Sequence, residues 1–336
     1  MKKLKRIFAV FFCLLLASGI LGGCGKAASS SAPALSASQS GSKPLKIVTT
    51  IFPEYDWVRE ILGDKADYAE VTMLLDNGVD LHSYQPTADD IIKISDCDLF
   101  IYVGGESDGW VEDALKEAAN KDMQVINLLD ALGEQVKEEE VVEGMEAEEE
   151  ESEDEDEPEY DEHVWLSLKN AETLCNAITD ALEEIDPANK DAYAANAASY
   201  LEKLAALDGE YQTVVDNAAR KTVLFGDRFP FRYLVDDYGL SYYAAFAGCS
   251  AETEASFETI SFLAGKVDEL GLPCVLTIEG AQHKIAETIV QNSAAKNQSV
   301  LTLDSMQSTT SADAANGTTY LSVMESNLDV LKQALN

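Results

Sequence analysis

The chain has 336 residues, with 24 lysines and arginines against 61 aspartates and glutamates, a formal net charge of −37, and only three histidines. The length allows two ordinary domains, and 46% hydrophobic residues suffice for a sizeable core. A chain this acidic offers no phosphate-neutralising patch, which excludes nucleic acid as a partner.

The N-terminus opens with the basic "MKKLKR", continues as the apolar "IFAVFFCLLLASGI" and ends in "LGGC". That is the layout of a signal peptide, and the apolar stretch is short for a membrane span. Leu21-Gly22-Gly23-Cys24 resembles the lipobox of bacterial lipoproteins. The resemblance implies cleavage after residue 23 and a lipid on Cys24. The Ser/Ala/Gly-rich stretch that follows predicts a disordered tether over 24–44. Its 19 residues from Gly25 to Lys43 would span roughly 25 Å as a flexible coil. The expected location is therefore extracytoplasmic, anchored to the cell membrane through the lipid.

From Lys46 the pattern alternates. "KPLKIVTTIFP" predicts a strand ending at Thr49-Thr50, and "EYDWVREILGD" a helix. "YAEVTMLL" predicts a strand, "DNGVD" a turn, and "TADDIIKISDC" a helix with Thr87 as its N-cap. Strand "DLFIYVGG", helix "WVEDALKEAANK" and strand "MQVINLL" follow. Between Glu138 and Glu162, 17 of 25 residues are acidic, and removing those charges from −37 leaves −20. Such a segment cannot bury a core and predicts a disordered loop over 137–160. After the helix "NAETLCNAITDALEEID", Asp186 reads as an N-cap with Pro187 at the first position of a helix of about 30 residues, roughly 45 Å long. A second alternation then runs from "KTVLFGD" to a closing helix at "GTTYLSVMESNLDVLKQAL". The expected fold is α/β, with two lobes, each a mainly parallel sheet flanked by helices, joined by one long α-helix. The lobes are placed at 45–183 and 220–336, and the linking helix at 184–219.

Ligands of parallel sheets bind outside the carboxyl ends of strands. Those ends bring up His82 through a turn, His163 on the strand-like "YDEHVWL", and the strand-terminal carboxylates Asp227, Glu279 and Asp304. Two imidazoles with carboxylates suit Zn(II) or Mn(II). Cysteines are left out of this set. Cys97 and Cys175 read as small buried residues, and Cys249 with Cys274 is the one disulfide pairing considered.

"LHSYQPTADDIIKISDCDLFIYVGG" resembles the "DpHxYEPTpxDixkixdADLfxxnG" segment of the zinc/manganese substrate-binding lipoproteins of bacterial ABC importers. "DEHVWLSLKNA" resembles their "DPHxWLspxnA", and "FRYLVDDYGL" the "FxYxaxxYGL" after their third ligand. The resemblance runs from about Lys46 to the C-terminus. It implies His82 and His163 as first and second ligands and Asp304 as the fourth. The third position falls on Arg228, which cannot coordinate. Either Glu279, slightly favoured, or Asp227 would replace it, with Arg228 orienting a carboxylate.

The function this implies is a membrane-tethered receptor that binds zinc or manganese between the lobes and delivers it to an ABC permease. A monomer is expected, and no enzymatic activity. Two alternatives remain: an acidic adhesion or cation-buffering lipoprotein, in which the acidic run collects ions, and a zinc-dependent hydrolase. Against the latter, the sequence holds no HExxH, nucleophile elbow or phosphate loop.

Overall fold

The computed structural model describes residues 43–146, 159–250, 254–280 and 283–336. The expected signal peptide, Cys24, most of the tether, and residues 147–158 of the acidic run lie outside them. Residues Lys43–Asn336 form one compact unit.

The first lobe is built from β1 (Leu45–Thr49), α1 (Phe52–Leu62), β2 (Ala69–Met73), α2 (Ala88–Asp96), β3 (Leu99–Tyr102), α3 (Val111–Lys116), β4 (Gln124–Asn127) and the short α4 (Leu128–Leu132). Its sheet has the order β2-β1-β3-β4, all parallel. Strand β3 is buried at Leu99, Phe100 and Ile101, as a strand covered on both faces must be. Helix α2 starts where Thr87 and Asp90 form a reciprocal capping box, which satisfies backbone groups at its first turn. Two helices follow, α5 (Leu168–Ile185) and α6 (Lys190–Asn217). The second lobe holds β5 (Thr222–Phe229), α7 (Arg232–Tyr238), β6 (Ser241–Ala247), α8 (Phe257–Leu270), β7 (Cys274–Thr277), α9 (Lys284–Asn292), β8 (Ser299–Thr302), α10 (Ser311–Ala315) and α11 (Tyr320–Ala334). Its parallel sheet has the order β6-β5-β7-β8.

The main hydrophobic cluster is shared by both lobes. It joins Trp57 of α1, Trp165, Tyr200 and Tyr211 of α6, and Tyr233 and Tyr320 from the second lobe, all nearly inaccessible to solvent. Truncating one such aromatic to alanine costs about 3–5 kcal/mol in a typical core. A smaller cluster, including Phe246, Leu263 and Ile289, lies under α8 and α9. The lobes thus meet through a continuous apolar core as well as through the long helix.

Three expectations need correction. Asp186 and Pro187 do not open the long helix. Asp186 closes α5, and its carboxylate accepts from Asn189 Nδ2 and from the Tyr193 hydroxyl, so residues 186–189 form a turn and α6 begins at Lys190. Its 28 residues are about 42 Å long. The segment carrying His163 is no strand, because Val164–Leu166 is a single 3-10 turn packed fully inside. The acidic run is ordered over its first ten residues, contrary to its composition. Glu138 pairs with Tyr160, Glu146 bridges to Phe246 of β6, Met145 is buried and Gly144 lies against Phe262. Specific partners on the second lobe supply the order that the segment's own sequence lacks.

Candidate metal centre

His82 sits in a 3-10 turn, Leu81–Ser83, where the Asp80 carboxylate accepts the His82 N–H at 3.0 Å. Its Nδ1 lies 2.8 Å from the Ser107 hydroxyl and 3.4 Å from Glu162 Oε2. His163 is completely buried, and Asp161 Oδ1 takes both its backbone N–H and its Nδ1, each at 2.9 Å. That contact assigns the Nδ1–H tautomer and leaves Nε2 as a bare acceptor. Gly105, at the end of the "VGG" run, has φ +78°, and a Cβ there would stand 2.3 Å from Glu162 Oε1. The glycine lets Glu162 close in and accept the Ser107 N–H at 2.9 Å.

The two Nε2 atoms face one another at 3.2 Å. Two nitrogens bound to one tetrahedral zinc at about 2.0–2.1 Å would stand roughly 3.3 Å apart. Among the described residues, the group of His, Cys, Asp and Glu donors that all lie within 4.8 Å of one another is His82, His163 and Cys249.

Carboxylates surround this group. Burial opposes charge on Asp80 and Glu162, yet Arg228 and His82 hold Asp80 below its ordinary value, and hydrogen bonds from His82 and Ser107 do the same for Glu162. Burial also opposes protonation of His163, but Asp161 outweighs it and the imidazole is raised. Burial, reinforced by Asp161, Glu139 and Glu162, pushes the Cys249 thiol well up. The site is strongly negative, with the His163 Nε2 acceptor facing His82, and suits a dication.

The expected carboxylate ligands stand outside the group. Glu279 accepts from the Ser305 N–H at 2.7 Å, the Ser305 hydroxyl at 2.8 Å and the Gln307 N–H at 3.0 Å, so it shapes the loop after β8. Asp304 accepts the Met306 N–H at 2.8 Å, and burial together with Glu279 pushes its carboxyl up to about 6. Asp227 accepts the Arg228 N–H at 2.9 Å, and burial raises it. Neither Glu279 nor Asp227 neutralises the Arg228 side chain. Its partner is Asp80 of the first lobe, 2.5 Å from Nη2. The considered disulfide is absent, as Cys249 and Cys274 are both free.

The expected ligand set took histidines and carboxylates at strand ends and left Cys249 out. Cys249 follows β6, whose last residue is Ala247, so the same rule extended to thiols would have found it.

The family described as ZnuA, zinc-uptake complex component A periplasmic, matches residues 47–334. The chain is 33% identical over 292 residues to the zinc-binding lipoprotein AdcA of Streptococcus pneumoniae (strain TIGR4), an alignment covering 86% of this chain and 55% of that protein. It therefore spans little more than half the length of its streptococcal relatives. To the high-affinity zinc uptake system protein ZnuA of Bacillus subtilis it is 32% identical over 337 residues, covering 99% of this chain and 98% of that one. Among solved structures, the Zn(II)-bound ZnuA-like domain of Streptococcus pneumoniae AdcA superimposes with a TM-score of 0.67 at 31% identity, over 87% of this chain and 98% of that domain.

Proposed function

We propose that this chain, which belongs to the ZnuA family of zinc-uptake components, is an extracytoplasmic receptor that captures a divalent transition-metal ion between its lobes and hands it to an ABC permease. Zinc is the cargo named for its relatives. Cys24 carries the lipid that tethers it to the membrane. His82 and His163 are ligands, and Asp161, Ser107 and Glu162 orient them.

One observation carries this reading. The two Nε2 atoms stand 3.2 Å apart while both Nδ1 atoms are engaged by neighbouring groups. Asp161 leaves the His163 Nε2 lone pair free, and His82 in its Nδ1–H form turns a second lone pair to the same point, so one cation can take both.

Titration of metal-free, full-length protein with zinc in a calorimeter tests it. One ion per chain at sub-micromolar affinity is expected, lost in both His82→Ala and His163→Ala. Tight zinc binding retained in both variants would remove these histidines from the site.

A further inference from the structure

We propose that Cys249 is a third protein ligand to the captured ion, so that two imidazoles and one thiolate hold the cargo and favour thiophilic zinc over manganese. This rests on the receptor reading above. The Cys249 sulfur lies within 4.8 Å of the donor nitrogens of both histidines.

The loop that carries it is built to stay there. A Cβ on Gly248 would lie 3.0 Å from His163 Cε1 and 3.1 Å from Nδ1, closer than most Cβ contacts allow. Glycine at this position lets the backbone pass close against the ring and places the next side chain at the cluster. The Cys249 N–H donates to Glu139 Oε1 at 3.1 Å. The Ser250 carbonyl accepts from Arg228 Nη1 at 3.3 Å. Arg228 Nη2 reaches Asp80 Oδ2 at 2.5 Å, and Asp80 Oδ1 holds the His82 N–H. An unbroken run of bonds therefore links the backbone of His82 to that of Ser250. It also accounts for an arginine beside a cation site, because Asp80 neutralises the guanidinium and the guanidinium positions the loop.

Thiolate is a soft donor that zinc accepts readily, whereas manganese favours oxygen. On binding, the metal replaces the thiol proton, which passes to water. Among the described residues, Cys97, Cys175 and Cys274 are buried, free and outside the cluster, so a metal–thiolate signal that disappears in Cys249→Ser belongs to Cys249.

Cobalt(II) is the spectroscopic probe. Reduced full-length protein loaded with cobalt should show a thiolate-to-metal charge-transfer band in the near ultraviolet, and Cys249→Ser should bind cobalt without it. Zinc affinity in Cys249→Ser should fall by at least about a hundredfold, since losing a mere partner of a metal ligand already costs roughly ten- to a hundredfold. The preference for zinc over manganese should narrow as well. Urea unfolding of the metal-free variant should match wild type, and Cys249→Ala is the second variant should Cys249→Ser misfold. Cobalt bound by wild type without the band overturns the thiolate and leaves the receptor reading standing. No binding of cobalt or zinc by wild type overturns both.

Discussion

In the first lobe, each histidine is fixed by groups from its own lobe. Asp161 holds His163, and Asp80 and Ser107 hold His82. In the second lobe, the loop over Gly248–Ser250 is held by Glu139 of the acidic segment and by Arg228 of β5, which is itself tied to Asp80 of the first lobe. Further ties cross in the same sense. Trp165 Nε1 donates to the Ser305 carbonyl at 2.9 Å, and the Tyr233 hydroxyl to the Asp161 carbonyl at 2.8 Å. The first-lobe half of the site is organised before a metal arrives. The second-lobe half is tied to the first lobe through Glu139 and the Arg228–Asp80 pair. With a shared core and a long helix between the lobes, metal capture should depend on ordering of loops more than on a wide hinge swing. Small-angle scattering should accordingly show little compaction on adding zinc, and a large one would contradict the shared-core picture.

The sharpest way to break the comparison is to remove a preorganised ligand. His163→Ala should lower zinc affinity by about three orders of magnitude, about 4 kcal/mol. Asp161→Asn, which leaves the imidazole but loosens its orientation, should cost roughly ten- to a hundredfold. Competition against a chelator of known affinity measures both. If Asp161→Asn binds like wild type, orientation within the first lobe is not what prepares the site.

The next effect concerns how firmly the lobes are joined. Asp56 of α1 accepts the N–H of Tyr320, the first residue of α11, at 2.8 Å. Burial pushes its carboxyl up to about 7, although the Tyr320 N–H pulls the other way. The unfolded chain ionises at about 3.9. Between these values the folded state keeps a proton that the unfolded state has lost, so stability from this group falls as pH rises from about 4 to about 7 and is then level. The separation corresponds to at most about 4 kcal/mol. Asp56→Asn keeps an oxygen for Tyr320 and removes the titration. In urea unfolding it should equal wild type near pH 4 and exceed it by a few kcal/mol at pH 8. Equal stability at both values would show that Asp56 is not strained by burial.

A smaller effect should come from the bridge between the halves. Arg228→Ala and Asp80→Ala should each weaken zinc binding by about tenfold, about 1.4 kcal/mol. The double variant should be little worse than either, because the two act through one contact. Additive losses would mean that Arg228 and Asp80 support the site separately.

How much of this was legible in the sequence follows from the same division. His82 and His163 stand in local turns, each with its N–H held by an aspartate two residues before it, so short stretches carried the information. The alternation of strands and helices was likewise local, and the two parallel sheets followed from it. Arg228 and Asp80 are 148 residues apart, and no local pattern encodes their contact. Glu279 and Asp304 do lie at strand ends, but there their oxygens cap the backbone of residues 305–307, a role that a strand-terminal carboxylate fills as readily as ligation. The order of residues 137–146 was hidden for another reason. Composition reports what a segment can bury by itself, whereas this one is held by Tyr233, Tyr242 and Phe246 of the second lobe.

The smallest effect tests what that acidic segment contributes. Glu139 is half-buried, its carboxyl is raised by burial, and its oxygen holds the Cys249 N–H. It could matter as a tether for the loop or as one more negative charge drawing cations to the cleft. Glu139→Ala removes both, whereas Glu139→Gln keeps an accepting oxygen and removes only the charge. A charge in a pocket already holding Asp80, Asp161 and Glu162 adds little, and salt screens attraction beyond about 8 Å. Among the described residues, Glu139 takes the Cys249 N–H, and Arg228 reaches the loop one residue further on. Glu139→Ala should therefore weaken zinc binding by a factor of about 5, on the order of 1 kcal/mol, the size of one net hydrogen bond. Glu139→Gln should stay within about twofold of wild type at physiological ionic strength. If the glutamine variant loses as much as the alanine variant, and the loss disappears in high salt, the segment attracts the ion instead of holding the loop.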